Sequence, residues 1–119
     1  GDISEFRSAD LCLYGAVDQL NTDVTLVGGI TAWMRVAGVA REHDVKMGHH
    51  EEPQVALTLL SVIDEIGPVE ILADEKRDPL WPKILKDSPR PVDGKLSVPT
   101  GPGLGLDLNW DLIEQYSAR

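Results

Sequence analysis

The sequence predicts an α/β fold built on parallel strands. Segments with helical spacing alternate with short apolar runs, in the order helix, strand, helix, strand, helix, strand. Such alternation is typical of parallel strands joined by right-handed helical crossovers. The chain has 119 residues, whereas a closed barrel of this architecture takes about 250 residues. Because three parallel strands alone leave open sheet edges, we expect this chain to be part of a larger structure.

Three predicted helices alternate with three predicted strands up to Leu72. Ser4 suits the N-cap of the first helix, and Gly15 suits the left-handed residue that ends it. Spacing of i, i+3, i+4 predicts the second helix, and Pro53 suits the first turn of the third, which we expect Gly67 and Pro68 to end. The first helix is predicted to pack through Phe6, Ala9, Cys12 and Leu13, and the second helix to span 30–40. The strands are predicted to span 16–20, 44–48 and 69–72. Residues 24–27 are expected to extend or flank the first strand.

The remainder of the chain is less regular. Residues 73–94 are charged and rich in proline, which favours irregular structure or short helical turns. Residues 95–99 are predicted to form an edge strand, 101–105 a turn, and 107–116 a final helix. Leu108, Leu112 and Ile113 are expected on the inner face of that helix.

The composition excludes several classes of partner. There are 20 acidic and 11 basic side chains, so the formal net charge is -9. Such a surface repels phosphates, which argues against nucleic acid and anionic membranes as partners. Cys12 is the single cysteine, so no internal disulfide can form, and a reducing, cytoplasmic location is expected.

Candidate chemistry lies where the predicted strands end. Active sites of parallel α/β folds gather at the carboxyl ends of strands. An aspartate beside a histidine can serve in proton transfer, because the carboxylate orients the imidazole and raises its basicity. Ordinary chains of this size also place such residues at loop starts, so the pair alone is a weak signal. The residues near such ends are Asp2, Asp23, His49, His50 and Glu70.

Three motifs in register resemble one known family. Residues 23–31 read Asp-Val-Thr-Leu-Val-Gly-Gly-Ile-Thr, His50 follows Asp23 by 27 positions, and Glu70 follows His50 by 20. Residues 99–106 read Pro-Thr-Gly-Pro-Gly-Leu-Gly-Leu. These segments resemble those of the mandelate racemase/muconate lactonizing enzyme branch of the enolase superfamily. The resemblance covers nearly the whole chain, and it is specific to the branch rather than to one substrate.

The resemblance implies a modified (β/α) TIM-type barrel beneath an α+β capping domain. This chain would supply the C-terminal part: residues 1–94 as a partial barrel with strands six to eight, and residues 95–119 as a tail returning to the capping domain. The N-terminal capping domain and the early barrel strands would be absent from it.

The same resemblance implies roles for four residues. The family removes the proton next to a substrate carboxylate and uses Mg²⁺, a cation that prefers oxygen ligands. His50 would be the general acid or base and Asp23 its orienting partner. Glu70 would hydrogen-bond a substrate carboxylate oxygen, which requires a protonated carboxyl or a shared proton. Asp2 would be a metal ligand, although this branch usually has glutamate there and a spacing to Asp23 about two residues longer.

The implied activity is that of a lyase, an acid-sugar dehydratase, acting on a small-molecule carboxylate as part of a complete barrel. Racemisation, epimerisation or cycloisomerisation is the close alternative. The chain could instead be an inactive fragment, or one half of a split enzyme that pairs with an N-terminal fragment. A homo-oligomer of the full-length enzyme is also expected.

Simpler interpretations accompany several of these residues. His49 and His50 with Glu51 and Glu52 could form a local metal cluster, but neighbouring strand residues point to opposite faces, so one histidine at most should face a site. The spacing in the resemblance favours His50, and His49 is expected to pack or to bond to backbone. Residues 28–29 favour a tight turn over an anion site. Trp33, Met34 and Cys12 are expected in the core, His43 in solvent, and Trp81 at an exposed contact.

Overall fold

The computed structural model describes residues 4–72, 76–77 and 79–117, with the backbone alone at Trp81. The chain forms two compact units, Gly1–Ile71 and Leu72–Arg119. The described residues include no helix that is long and apolar enough to cross a membrane.

The first unit is built on a parallel sheet. In the described residues its strands are β1 (Gln19–Asn21), β2 (Lys46–His49) and β3 (Ile66–Val69), in the spatial order β1-β2-β3. Gln19 pairs with Lys46, and Met47 pairs with Ile66. The predicted alternation of helices with parallel strands is therefore confirmed.

In the part of the first unit that the structure describes, four helices accompany these strands: α1 (Glu5–Leu13), α2 (Val24–Val27), α3 (Ile30–Glu42) and α4 (Pro53–Leu60). The predicted ends of α1 are confirmed, because the Ser4 hydroxyl accepts a hydrogen bond from the Arg7 N–H and Gly15 has a φ of 58°. The predicted Pro53 start of α4 is confirmed as well.

The core of this unit lies around α3. Trp33 is fully buried, and the aliphatic residues that follow it at helical spacing are buried with it. This burial is the main stabilising term for a helix of this length, since an isolated helix of 13 residues is marginal in water. The principal core residues are Cys12, Leu20, Val24, Val27, Trp33, Val36, Ala37, Ala40, Val45, Met47, Leu59 and Leu60.

The first two strands begin later than predicted because the preceding residues still close a helix. The Ala16 N–H donates to the Leu11 carbonyl of α1, so Ala16 still belongs to the end of that helix, and β1 starts at Gln19. The Val45 N–H likewise donates to the Ala40 carbonyl of α3, and β2 starts at Lys46.

The prediction that residues 24–27 extend or flank the first strand was wrong. Asp23 caps their N-terminus, and Gly28, with a φ of 110°, caps their C-terminus. Two caps so close together stabilise one helical turn in spite of the β-branched residues. The predicted turn at residues 28–29 is confirmed, since Gly29 also has a positive φ of 96°.

The third predicted helix and strand were also misplaced. Helix α4 ends at Leu60, and residues 61–65 form turns and bends that bring Ile66 beside Met47. Gly67 and Pro68 therefore lie inside β3 instead of ending a helix. β3 is at the edge of this sheet, where proline is tolerated within a strand.

Two predicted apolar faces were only partly right. In α1, Cys12 is buried as expected, but Phe6 is 80% exposed and Ser8 is buried instead. Met34, predicted in the core beside Trp33, is 38% exposed because it lies at the edge of the apolar face of α3. His43, at the end of α3, is exposed as predicted.

The second unit contains α5 (Trp81–Ile84) and α6 (Trp110–Tyr116). The predicted edge strand at 95–99 was wrong, because Lys95 pairs with Val92 across a tight turn and no strand follows it. The predicted turn at 101–105 is confirmed by the hydrogen bond from the Gly105 N–H to the Pro102 carbonyl. Helix α6 starts three residues later than predicted, after the Asn109 side-chain cap, and Leu108, Leu112 and Ile113 are partly buried.

Candidate active site

Three of the predicted site residues lie together at the carboxyl ends of the strands. Asp23 follows β1, His50 directly follows β2, and Glu70 directly follows β3 rather than lying within it. His50 Nδ1 is 3.3 Å from Asp23 Oδ2, and His50 Nε2 is 3.8 Å from Glu70 Oε2. Glu51 Oε1 is 3.6 Å from the same Nε2. The imidazole of His50, 42% exposed, thus lies among three carboxylates and remains open to solvent.

Asp23 is held firmly in this arrangement. Its Oδ1 accepts hydrogen bonds from the Thr25 N–H and hydroxyl, each at 2.7 Å, and a longer one from the Leu26 N–H at 3.4 Å. Its Oδ2 is thereby left facing His50. Burial by itself raises the pKa of Asp23, but the hydrogen bonds from Thr25, His50 and Leu26 outweigh burial and hold that pKa below its ordinary value.

His49 is a buried residue that bonds to the backbone on either side of the candidate site. It is fully buried, and its Nε2 accepts a hydrogen bond from the Val24 N–H at 3.2 Å. Its Nδ1 faces the carbonyl oxygens of His50 and Glu51 at 3.0 and 3.1 Å, so this nitrogen must carry the proton. Burial lowers the pKa of His49, which keeps the ring neutral. As predicted, one histidine bonds to backbone and the other faces the site.

Trp33 fixes the same loop. Its indole N–H donates to the Thr22 carbonyl at 2.9 Å, and its ring centroid lies 6.1 Å from that of His49. Its predicted place in the core is confirmed, but no pattern along the chain indicates that this core residue also anchors the segment carrying Asp23.

Glu70 is held less firmly than Asp23. Its side chain is 43% exposed, and among the described residues its Oε2 accepts one hydrogen bond, from the Asn21 side-chain amide at 3.3 Å. Asn21 was not among the predicted site residues. The alternation of side chains along a strand could have indicated it. Gln19 and Asn21 are exposed polar residues on one face of β1, opposite the buried Leu20.

The two acidic residues after His50 have unusual backbone conformations. Glu51 and Glu52 have φ values of 54° and 48°, in the left-handed region that is unfavourable for residues other than glycine. Burial, together with the negative charges of Asp23 and Glu51, raises the pKa of Glu52. Its Oε2 is buried without a hydrogen-bond partner in the described part of the chain. Such local strain is often found beside functional sites.

The described residues do not by themselves fit a magnesium site. No group of three or more histidine, cysteine, aspartate or glutamate residues among them is placed to hold a metal ion, which includes the suggested cluster at 49–52. The oxygens of Asp23 already face N–H and O–H donors and His50. Asp2, the predicted ligand, lies outside the described residues.

The sequence profile of the enolase C-terminal domain-like family matches residues 4–112. The chain belongs to this family. The resemblance to mandelate racemase and muconate lactonizing enzymes is therefore confirmed, and the family fold is consistent with part of a TIM-barrel enzyme.

Among characterised relatives, the chain is 28% identical to a D-gluconate dehydratase of Thermoproteus tenax, covering 98% of this chain and 24% of the relative. It is 26% identical to a D-galactarolactone cycloisomerase of Agrobacterium fabrum (strain C58), covering 86% of this chain and 30% of the relative. The chain thus spans less than a third of the length of these family members.

Solved structures of mandelate racemase/muconate lactonizing enzyme type are also similar to this chain, again over about a third of their own length or less. A mandelate racemase/muconate lactonizing enzyme from a marine actinobacterium, in complex with magnesium, is 42% identical with a TM-score of 0.88, over 99% of this chain and 33% of its own. L-Talarate dehydratase from Polaromonas sp. JS666, complexed with Mg and L-glucarate, is 28% identical with a TM-score of 0.76, over 94% of this chain and 28% of its own.

Proposed function

We propose that this chain forms the C-terminal part of a Mg²⁺-dependent lyase that dehydrates a sugar acid. The observation that carries the proposal is the contact of His50 Nδ1 with Asp23 Oδ2 at 3.3 Å, which leaves the half-exposed Nε2 side facing Glu51 and Glu70. A carboxylate in this position orients an imidazole for proton transfer. The sugar acids named for the relatives support the substrate class.

In the proposed reaction, a base takes the proton from the carbon next to the substrate carboxylate. The electron pair of that C–H bond moves into the carboxylate and gives an enediolate. The enediolate then expels the hydroxyl of the next carbon, and His50 donates its Nε2 proton so that water leaves. The resulting enol takes up a proton at carbon, loses its hydroxyl proton to solvent and becomes a 2-keto acid. Asp23 stabilises the imidazolium of His50 before the transfer.

Glu70 is proposed to hydrogen-bond the substrate carboxylate as negative charge builds on its oxygens. This task requires a protonated or proton-sharing carboxyl. Its proximity to His50, at 3.8 Å, supports a place beside the reacting carbon. In a racemase or cycloisomerase, His50 would instead exchange a proton with the carbon itself.

Asp2 is the proposed magnesium ligand of this chain, and the other ligands would come from earlier barrel strands. Magnesium would supply positive charge near the substrate carboxylate. This part of the proposal is supported by the magnesium in related structures, and no step above depends on it.

We further propose that β1, β2 and β3 are strands six to eight of the barrel, within residues 1–94, and that 95–119 form the returning tail. The parallel order β1-β2-β3 supports this placement. Completion of the barrel would come from the same polypeptide or from a separate N-terminal fragment. Native mass spectrometry of the protein purified from its source distinguishes the two.

A second candidate reaction is cycloisomerisation, which the D-galactarolactone cycloisomerase among the relatives favours. The two reactions differ in their products. Dehydration releases water and forms a 2-keto acid, whereas cycloisomerisation conserves the substrate formula.

The test uses the complete, Mg²⁺-supplied protein with a panel of sugar acids and their lactones in D₂O. We expect a 2-keto acid product from at least one acid, and we expect His50→Asn to lower turnover by about 10² to 10⁴. His43→Asn is the matched control, because His43 is exposed and follows α3. A loss below tenfold for His50→Asn would remove His50 from its role, and no turnover of any acid or lactone would overturn the enzymatic proposal.

A further inference from the structure

We propose that Asn21 is a positioning residue that holds Oε2 of Glu70, so that Oε1 is the oxygen presented to the substrate carboxylate. This inference rests on the proposed function and deepens it. It gives a role to a side chain that the sequence motifs do not include.

The hydrogen bond involved spans the width of the sheet. Asn21 is the last residue of β1, and Glu70 directly follows β3, so the two residues lie on either side of β2. The Asn21 amide nitrogen Nδ2 donates to Glu70 Oε2 at 3.3 Å. A side chain of β1 therefore reaches over the central strand to the carboxylate at its far edge.

Gly48 makes this crossing possible. It is the partner of Asn21 in β2, and a Cβ atom at Gly48 would lie 2.8 Å from Asn21 Oδ1 and 2.8 Å from the Pro68 carbonyl oxygen. Neither distance is tolerated by a real Cβ atom. Gly48 has no positive φ, so the requirement for glycine here is one of space.

The direction of the hydrogen bond decides what Glu70 can do. An amide nitrogen can only donate, so Oε2 must act as an acceptor toward Asn21. A proton on this carboxyl therefore belongs on Oε1, which makes no hydrogen bond to the described residues. His50 Nε2 approaches the same Oε2 at 3.8 Å, so Asn21 and His50 lie on one side of the carboxylate and leave Oε1 for the substrate.

The kinetic test is a double-mutant cycle in the complete, Mg²⁺-supplied protein. We expect Asn21→Leu to lower kcat by about tenfold with KM changed less than twofold, the effect of one hydrogen bond made to a charge-stabilising group. In the Glu70→Ala background, Asn21→Leu should have no further effect, because a positioning residue acts only through its partner. Equal losses in both backgrounds would overturn the proposal in favour of a general structural role.

Gln19→Leu is the matched control. Gln19 lies on the same face of β1, two residues earlier, and has no hydrogen bond to Glu70. It should leave kcat unchanged in both backgrounds.

A spectroscopic measurement separates this inference from the proposed function. The Asn21 side-chain amide resonance of the ¹⁵N-labelled complete protein should move in Glu70→Ala more than any other side-chain amide, and it should move in the same direction in Gly48→Ala. The amide of Asn109, in the second unit, is the reference. An unmoved Asn21 resonance would overturn the inference even if sugar acids are dehydrated. A moved resonance without turnover would uphold the Asn21–Glu70 contact and overturn the proposed function and the substrate role derived from it.

Discussion

Asp23 and Glu70 contact the same imidazole, yet the protein holds them in different ways. The Asp23 side chain is 10% exposed and accepts hydrogen bonds from the backbone and hydroxyl of Thr25 as well as the Leu26 N–H. The Glu70 side chain is 43% exposed, and within the described part of the chain it accepts one hydrogen bond, from Asn21. The proposed acid–base pair is thus fixed by the local fold, whereas the orientation of the Glu70 carboxylate depends on the Asn21 amide.

The layer beneath Asp23 explains much of this difference. Trp33 and His49 are both fully buried, and each donates to or accepts from the backbone next to Asp23. Buried hydrogen bonds of this kind are costly to leave unsatisfied, so the loop has few alternatives. Glu70 is joined to this layer by its backbone N–H, which donates to the His49 carbonyl, whereas its carboxylate bonds to the exposed Asn21.

The largest effect on stability is expected from replacing Trp33, which forms the buried layer next to Asp23 together with His49. Trp33→Ala should lower the free energy of unfolding by about 3 to 5 kcal/mol, because it creates a large cavity and leaves the Thr22 carbonyl unpaired. Urea denaturation measures the change. Met34→Ala, at the neighbouring half-exposed position, is the control and should cost about 1 kcal/mol. Equal losses at both positions would contradict the special place of Trp33.

A smaller effect is expected from Asp23, where two functions can be separated. Asp23→Ala removes the cap of α2 and should cost about 1 to 2 kcal/mol of unfolding free energy. Asp23→Asn should restore most of that stability, since asparagine caps helices as well, while turnover of the complete enzyme stays low because the charge facing His50 is gone. Recovery of both stability and turnover by asparagine would show that Asp23 acts through capping alone.

A gain of stability is expected at Glu52. Its pKa is raised by burial and by the charges of Asp23 and Glu51, so its charged form is disfavoured in the folded protein. That penalty is absent below the ordinary glutamate pKa of 4.5, where the carboxyl is protonated in both states, and it appears as pH rises through the raised pKa. Glu52→Gln should therefore add on the order of 1 kcal/mol at pH 7 and nothing at pH 4.

The control for Glu52 is Asp10→Asn, which removes an exposed carboxylate from α1. It should change the free energy of unfolding by less than about 0.5 kcal/mol at either pH. A gain from Glu52→Gln that persists unchanged at pH 4 would contradict an electrostatic origin.

The smallest effect on stability is expected at Glu70. Because it is half exposed and bonded through one amide, Glu70→Ala should alter the free energy of unfolding by less than about 0.5 kcal/mol. Thermal or urea unfolding of the two proteins measures this. A loss as large as that of Asp23→Ala would erase the contrast between the two carboxylates.

The sequence predicted much of the candidate site, because the motifs and spacings involved are local patterns along the chain. The Asp23 motif with its two glycines, and the spacings to His50 and Glu70, led to three residues that the fold brings together, although their roles remain predictions. Alternation along a strand separated His49 from His50. The helix ends at Ser4 and Gly15 and the helix start at Pro53 were predicted correctly, because these signals depend on a few adjacent residues.

The failures came where distant contacts decide the outcome. The apolar residues from Val55 to Ile66 have the spacing of one helix, but α4 ends at Leu60 because Ile66 pairs with Met47 of β2. Residues 16–18 and 44–45 were assigned to strands, yet hydrogen bonds from Ala16 and Val45 close the preceding helices.

The sequence by itself determined the α/β class, the family and the candidate acid–base pair, because these depend on periodicity, motif and spacing along the chain. Only the tertiary structure revealed the anchoring of Asp23 by Trp33 and His49, the buried carboxyl of Glu52, and the reach of Asn21 over Gly48 to Glu70. Each of these joins residues on different elements, and a contact across a sheet or between a helix and a loop follows from packing, which no local pattern specifies.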